Sequence, residues 1–584
     1  MKRLLWLFVL AAQLSAAAAL AAPAAGRKRP LVPHDYTSIA GLSQPRYETV
    51  RESYLVTMAD DVELYVEVVR PTAAGRWPVI LELSPYHGTL AGRDGTSVLP
   101  RPREDGEQIG LAGYFAPRGY AVAFADLRGT GRSAGCLDLL GPKDAADAYE
   151  LVEWLARQEW SNGRVGMTGH SFPAMAAIMT AAQRPPHLVT IAASAGMPDM
   201  YGHEYQQGVP FSDMFVGPTA AYQALATIRH LPPPPVEGLP VGWGDAFGQR
   251  VEYAGCEWAS STVVNENVGY LSGVESPWHR ARDHNAGAIA APIPIFAVHG
   301  LYDGAIGPIE MDWLYERPYG GDKIWLGQWH HGSVDAPEPN ARGDQWTFAL
   351  HAWFDRHLQR RKVDTGPAVE VFLNDGRVLV AEDWPVTAGT SELYPAAEEE
   401  LVSSAPAAAT EEYVADPGGA GIWSNFYDFM FTGRLVYETA PLPHDTLVVG
   451  EPQLRLVAST TSPKTHILAT LVKVPEEGRP VETAVAWFAI NPVVREGIDD
   501  PQDVTPGEMM EMELQGMTQA HLFEAGSRLR LTISSSDSDK LPVFTPGALI
   551  SVALGKDGTV LRLPVVPSPT LHADPCSSCD TTQG

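Results

Sequence analysis

The chain has 584 residues, with 42 basic side chains against 70 acidic ones and a formal net charge of −28. That length exceeds what a single hydrophobic core organises, so two or three domains are expected. The acidic balance argues against nucleic acid and anionic membrane surfaces as partners, and a hydrophobic content of 45% argues against disorder.

The chain opens like an export signal. Met1-Lys2-Arg3 supplies positive charge, Leu4 to Leu10 is apolar, and small residues lead to Ala19-Leu20-Ala21, with cleavage expected after Ala21 and a secreted or periplasmic product. The apolar stretch is short for a spanning helix and no later one qualifies, so no stable membrane span is expected after cleavage. The four cysteines suit an oxidising compartment, and the expected pairs are Cys136 with Cys256 and Cys576 with Cys579. One C-x-x-C without partner ligands does not make a zinc site, and neither metal nor cofactor is expected. Nothing in the sequence reports the oligomeric state.

Along the mature chain, Tyr47 to Arg70 alternates like a hairpin feeding a sheet. Val79 to Leu83 and Tyr120 to Ala125 are short apolar strands, and Ala145 to Arg157 is a helix with Ala148, Leu151, Val152 and Leu155 on one face. Such alternation predicts a mostly parallel sheet covered by helices on both sides. The loop from Asp126 to Ser133 carries Gly129 and Gly131, but no G-x-G-x-x-G opens a helix there, and it reads as scaffold.

The apolar run Val165-Gly166-Met167 then turns sharply at Gly169-His170-Ser171-Phe172 into the helix-forming run Ala174 to Met179. A serine at such a turn sits on strained backbone with its hydroxyl at the sheet edge. Pro173 stands where G-x-S-x-G has its second glycine. From 197 to 287, aromatics and the prolines Pro232 to Pro235 interrupt the pattern, as in an insertion that caps a site. The alternation resumes with Ile293 to Val298, running into Asp303, and with Lys323 to Trp329, running into His330-His331.

Ser, Asp and His in that order, each after an apolar strand, match the α/β-hydrolase arrangement. A serine hydroxyl is a weak nucleophile at neutral pH. An imidazole must take its proton, and a carboxylate must fix the imidazole's tautomer. The helix carrying Trp346, Ala349, Leu350, Trp353, Phe354 and Leu358 closes this domain. After Gly366-Pro367 the texture is all-β, with Leu529, Leu531 and Ile533 alternating with Arg530, Thr532 and Ser534, while the acidic run from Ala396 to Ala415 reads as a solvated loop.

Six stretches carry a resemblance: Ser84-Pro85-Tyr86, Asp126 to Gly135, Glu159 to Met167, the serine turn, Gly327 to His331, and Phe523 to Leu531. With these the chain resembles the X-Pro dipeptidyl-peptidase/cocaine-esterase (CocE/NonD) family of serine hydrolases. The resemblance implies an α/β-hydrolase domain with a helical cap insertion, followed by a C-terminal jelly-roll β-sandwich. The implied limits are signal 1–21, hydrolase 45–196 and 288–362, cap 197–287, β-sandwich 367–568 and a cysteine-containing tail 569–584.

It also implies Ser171 as nucleophile, Asp303 as orienting acid and His331 as base, since the family histidine lies two places after Trp in G-P-W-x-H. Gln328 replaces that proline, and His330 is the rival. The oxyanion donors would be the Phe172 N–H, from the turn itself, and the Tyr86 phenol, from the resemblance. His170 and His299 read as packing residues. Relatives acting on α-amino acyl groups carry acids just after the serine. Pro173, Ala174 and Met175 stand there instead, which favours a neutral ester as the small-molecule substrate. The competing readings are amide or peptide cleavage, as by an X-Pro dipeptidyl-peptidase or a β-lactam or glutaryl acylase, and a non-catalytic secreted binding protein.

Overall fold

The computed structural model describes residues 31–87, 110–210, 273–304, 306–307, 311–314, 316–317, 320–331, 342–386, 388–415, 433–476, 484–535 and 547–576. The first sheet begins with β1 (Thr49–Thr57), β2 (Glu63–Pro71), β3 (Trp77–Ser84), β4 (Ala121–Asp126), β5 (Ser161–His170) and β6 (Leu188–Ser194). A short hairpin, β7 (Tyr205–Gln206) with β8 (Val209–Pro210), stands apart from it. The sheet resumes with β9 (Ile295–Gly300), β10 (Lys323–Gly327), β11 (Val369–Phe372) and β12 (Arg377–Ala381).

The spatial order is β1-β2-β4-β3-β5-β6-β9-β10-β11-β12, and Leu571–Ala573 adds a last antiparallel strand. From β4 through β11 the pairs are parallel, while β1–β2, β2–β4 and β11–β12 are antiparallel. Parallel strands buried on both faces need apolar side chains on both. In β3, Val79, Leu81 and Leu83 face a core that includes the helices Pro142–Ala156 and Phe172–Gln183. Ile80 faces another that includes Leu111–Phe115 and Asp344–His357. The expected helix face of Ala148, Leu151, Val152 and Leu155 is buried in the first of these cores.

β11 and β12 lie beyond 367, the expected start of the C-terminal domain, and pair into the first sheet. The helix at 344–357 is the crossover that lets β11 lie parallel to β10. Leu571 to Ala573, placed in a tail beyond 568, also returns to that sheet, and Arg342 pairs with Asp574 beside it. The acidic run at 396–415 is not simply a loop. Glu400–Val402 and Ala409–Val414 are strands, the latter paired antiparallel to Leu549–Leu554 with Tyr413 turned into the core, Glu412 outward, and half-buried Glu411 accepting from the Tyr437 hydroxyl at 2.8 Å.

The C-terminal domain is a strand-rich unit with its own core, including Leu454, Leu456, Leu529, Leu531 and Ile533. Thr532 and Ser534 are buried too, and their strand Arg528–Ser534 is paired on both edges, with Arg434–Glu438 and Ile467–Val474. Of the expected cap, 211–272 lies outside the described residues. Its flanks hold the short helices Met200–Glu204, Pro277–Arg280 and Asn285–Ile289. The hairpin β7–β8 ties this flank to the β-domain: the Gln206 side-chain amide donates to the carbonyls of Trp487 and Gln515, 3.0 Å each. Cys256 and Cys579 lie outside the described residues, so each expected disulfide has one undescribed end. Among the described residues no helix is long and apolar enough to cross a membrane.

Candidate active site

Ser171 follows β5 with φ 64° and ψ −132°, a conformation that a residue with a Cβ keeps only when its surroundings over-determine it. Its N–H donates to the Ser194 carbonyl at the end of β6, 3.0 Å, and its carbonyl accepts from Ala174 and Met175 at 2.8 and 3.1 Å. A Cβ on Gly169 would lie 2.4 Å from the Pro173 carbonyl carbon, so the first glycine of the motif is required. Pro173 fits the second position of the helix Phe172–Gln183, where no N–H is needed. The close backbone approach passes instead to Gly196, whose Cβ would meet that of Ala174 at 2.7 Å.

The loops after β9 and β10 bring the expected acid and base to this serine. His331 Nε2 lies 2.9 Å from Ser171 Oγ, and its Nδ1 lies 3.0 and 2.9 Å from the two oxygens of Asp303. The Asp303 side chain is fully buried and also accepts from the Ile306 N–H at 2.8 Å. Burial alone would push its pKa up, but the His331 hydrogen bond and charge, with lesser help from His299 and the Ile306 N–H, outweigh it and hold the carboxyl below the ordinary range.

Trp329 anchors the histidine loop. A Cβ on Gly300 would lie 2.2 Å from the Trp329 carbonyl oxygen and one on Gly327 1.9 Å from its ring, so both strands end in glycine to admit this residue. His330, the rival base, is exposed and its Nδ1 bonds the Tyr302 carbonyl at 2.9 Å. Gln328 has a use the family's proline could not supply: its amide donates to the Ala520 carbonyl at 2.8 Å, linking the histidine loop to the β-domain.

The two residues expected to supply oxyanion donors are in contact through their rings. Phe172 opens the helix, and the Tyr86 ring packs edge-on against it with centroids 6.5 Å apart. The Asp126 loop is packed as scaffold. Asp126 accepts from Arg132 N–H at 2.8 Å, a Cβ on Gly131 would strike its carboxylate at 2.3 Å, and Arg128 clasps Asp147 through two bonds of 2.7 and 2.6 Å.

His170 turns from the serine. It bonds Ser194 Oγ at 3.1 Å and the His331 carbonyl at 2.8 Å, bracing the base's own backbone, and burial followed by the His331 charge lowers it to about 4. His299 bonds the Ile306 carbonyl at 2.8 Å behind Asp303.

Two further histidines have no sequence motif to announce them. His203, in the helix after β6, is 7% exposed, and its Nδ1 has no hydrogen-bond partner among the described residues. Burial lowers it to about 4, and its charge partners are His331 and Asp303, which places a neutral imidazole beside the site. His87, next to Tyr86, lies between buried carboxylates, 2.8 Å from Glu82 and 3.8 Å from Asp126. Burial opposes its protonation, but the Glu82 bond and charge raise it above the ordinary value, while Asp126 is pushed up to about 7 by burial. Glu82, His87 and Asp126 build this clip beside Tyr86 from two separate strand ends, so spacing could not have revealed it.

Residues 60–333 match the model of the X-Pro dipeptidyl-peptidase S15 family, and residues 361–574 that of the X-Pro dipeptidyl-peptidase C-terminal non-catalytic domain. The chain is 24% identical over 556 residues to the cocaine esterase of Rhodococcus sp. (strain MB1 Bresler), covering 84% of this chain and 92% of that one. An aminopeptidase from the marine sediment archaeon Thaumarchaeota archaeon shares the fold at a TM-score of 0.71 and 18% identity, covering 89% of this chain and 97% of that one. A CocE/NonD family hydrolase from Staphylococcus aureus does so at 0.69 and 18%, covering 89% and 94%. The two family matches follow one another along the chain and take in both the α/β domain and the strand-rich one, so the chain belongs to the X-Pro dipeptidyl-peptidase/cocaine-esterase family of serine hydrolases.

Proposed function

We propose that this hydrolase cleaves a carboxylic ester with a neutral acyl group, through an acyl-enzyme on Ser171. The observation that carries the reading is the continuous hydrogen-bond line from Ser171 Oγ through His331 to buried Asp303. Ser171 Oγ attacks the ester carbonyl while His331 Nε2 takes its proton, and Asp303 stabilises the imidazolium through Nδ1–H. The oxyanion faces the Phe172 N–H and the Tyr86 hydroxyl, each donor worth about 3–4 kcal/mol of barrier. His331 returns the proton to the leaving alcohol, then activates the water that frees the acid.

A neutral acyl group is supported by the surroundings. Pro173, Ala174 and Met175 are buried and uncharged, and burial keeps both His170 and His203 neutral. Pro173, Ala174 and Met175 offer an ammonium entering there no counter-charge. Steady-state assays with a panel of neutral p-nitrophenyl acyl esters, α-amino acyl esters and Xaa-Pro p-nitroanilides test this. The highest kcat/KM is expected for a neutral ester, and a higher value for an Xaa-Pro anilide would transfer the chain to the peptidase reading.

Export through the signal at 1–21 belongs to the same proposal, as do the bridges Cys136–Cys256 and Cys576–Cys579. It draws support from the absence of a free thiol among the described cysteines. Peptide mapping without reduction, on protein from the extracellular or periplasmic fraction, should recover both linked pairs; a free thiol at Cys136 would sink the first.

A further inference from the structure

The 42 basic residues of this acidic chain are not spread evenly. Arg46, Arg76, Arg118, Arg164, Arg360 and Arg361 line one cleft of about 770 Å³, and no aspartate or glutamate is among the residues lining it. Trp77 and Pro78 at the start of β3, Gly163 and Arg164 at the start of β5, and the chain just after helix 344–357 form its walls. It therefore opens at the N-terminal edge of the sheet. Ser171 stands past the opposite end of β5, and seven residues of strand put Arg164 roughly 23 Å away.

Three of the six arginines have structural duties. Arg164 caps helix 344–357 through the His357 and Leu358 carbonyls, Arg118 bonds the Tyr114 carbonyl at 2.6 Å and lies over its ring, and Arg361 bonds the Gly41 carbonyl with Asp355 3.4 Å away. The side chains of Arg46, Arg76 and Arg360 have no hydrogen bond or ion pair among the described residues. Arg360 is held at φ 57°, in the left-handed region, on the cleft wall. Asp355 stands beside Arg361, and the repulsion among the other guanidiniums is felt at Arg164, lowered by burial and then by Arg360. Planar guanidinium forks grip phosphate and carboxylate oxygens in pairs.

We propose that this cleft is a second binding site, distinct from the serine site, for a multivalent oxyanion carrying two or more phosphate or carboxylate groups. One such ligand supplies the negative charge that the lining lacks and bridges the three unpaired arginines, whereas a single orthophosphate spans too little of the cleft to do so. Because the whole molecule is strongly acidic, capture depends on the local field and weakens with added salt.

Isothermal titration of the full-length protein with tripolyphosphate, citrate and orthophosphate tests the assignment, alongside Arg76→Gln/Arg360→Gln. Wild type should bind tripolyphosphate at least tenfold more tightly than orthophosphate and lose at least tenfold in the double variant, with ester hydrolysis unchanged. Citrate binding in parallel assigns a site for polyanions generally, and its failure beside tripolyphosphate binding assigns a phosphate site; either result supports the proposal. Both variant sites are exposed, and without ligand the double variant should melt no lower than wild type, since a repulsion is removed. Arg46→Gln alone serves as a second probe. Equal affinity of wild type and variants for tripolyphosphate, or no binding of either polyanion at low salt, overturns it.

Discussion

Asp303→Asn probes the proposed mechanism at its most constrained atom. Asp303 Oδ1 accepts from the Ile306 N–H at 2.8 Å, so the asparagine oxygen must take that position, and its NH₂ falls where Oδ2 stands, 2.9 Å from His331 Nδ1. Nδ1–H would then face a donor at the Oδ2 position and share the remaining oxygen, 3.0 Å away, with the Ile306 N–H, so the balance shifts toward a His331 that carries its proton on Nε2. In that tautomer it donates to Ser171 rather than accepting from it. The side chain is isosteric and fully buried, so packing changes little, and the loss should fall on kcat by about 10⁴-fold, about 5.5 kcal/mol. Hydrolysis of a p-nitrophenyl ester, with kcat and KM resolved separately, measures it. The carboxyl's depressed pKa adds a signed expectation. Its contribution to stability is present above the ordinary carboxylate value and lost as pH falls through the lower folded value, a loss that Asp303→Asn should lack. A loss of kcat below tenfold, or a loss confined to KM, would refute the tautomer argument.

Other expectations follow from single contacts. His331→Ala should abolish ester hydrolysis, whereas His330→Ala should stay within about threefold of wild type, because His330 meets only a loop carbonyl. Gly300→Ala drives a Cβ into the Trp329 carbonyl and should cost about 1–3 kcal/mol in urea unfolding and lower kcat by displacing His331; an unchanged kcat would separate Trp329 from the site. Asp126 is held near 7 when folded, so its ionisation penalises the fold increasingly as pH rises from about 4 through 7. His87, raised, stabilises below its unfolded value and loses that effect as pH climbs through its folded one. Both favour the fold more at pH 5.5 than at 8, and Asp126→Asn should flatten that difference in urea titrations.

The site was legible where chemistry follows chain direction. Ser171 stands between an apolar run and a helix-forming run, and Asp303 and His331 each follow an apolar strand, so three separate local patterns pointed to one sheet edge. The choice of His331 over His330 came from the family motif and not from strand pattern. Both follow Trp329, and only the packing of its indole over Gly300 and Gly327 decides which imidazole faces inward. His203 and His87 were invisible because an unpartnered or doubly clasped imidazole is a property of tertiary neighbours. β11 escaped for a related reason, since its four residues acquire their parallel character only from β10. The arginine cleft gathers side chains from positions 46 to 361, and no window of sequence contains it.

The central claim is that Ser171 is the covalent nucleophile. Treatment of the wild-type protein with a fluorophosphonate, read by intact mass and peptide mapping, tests it in one step. The account predicts one adduct per chain, on Ser171, with parallel loss of ester hydrolysis and no adduct on Ser171→Ala. Labelling elsewhere with Ser171 unmodified, or full activity in Ser171→Ala, would contradict it.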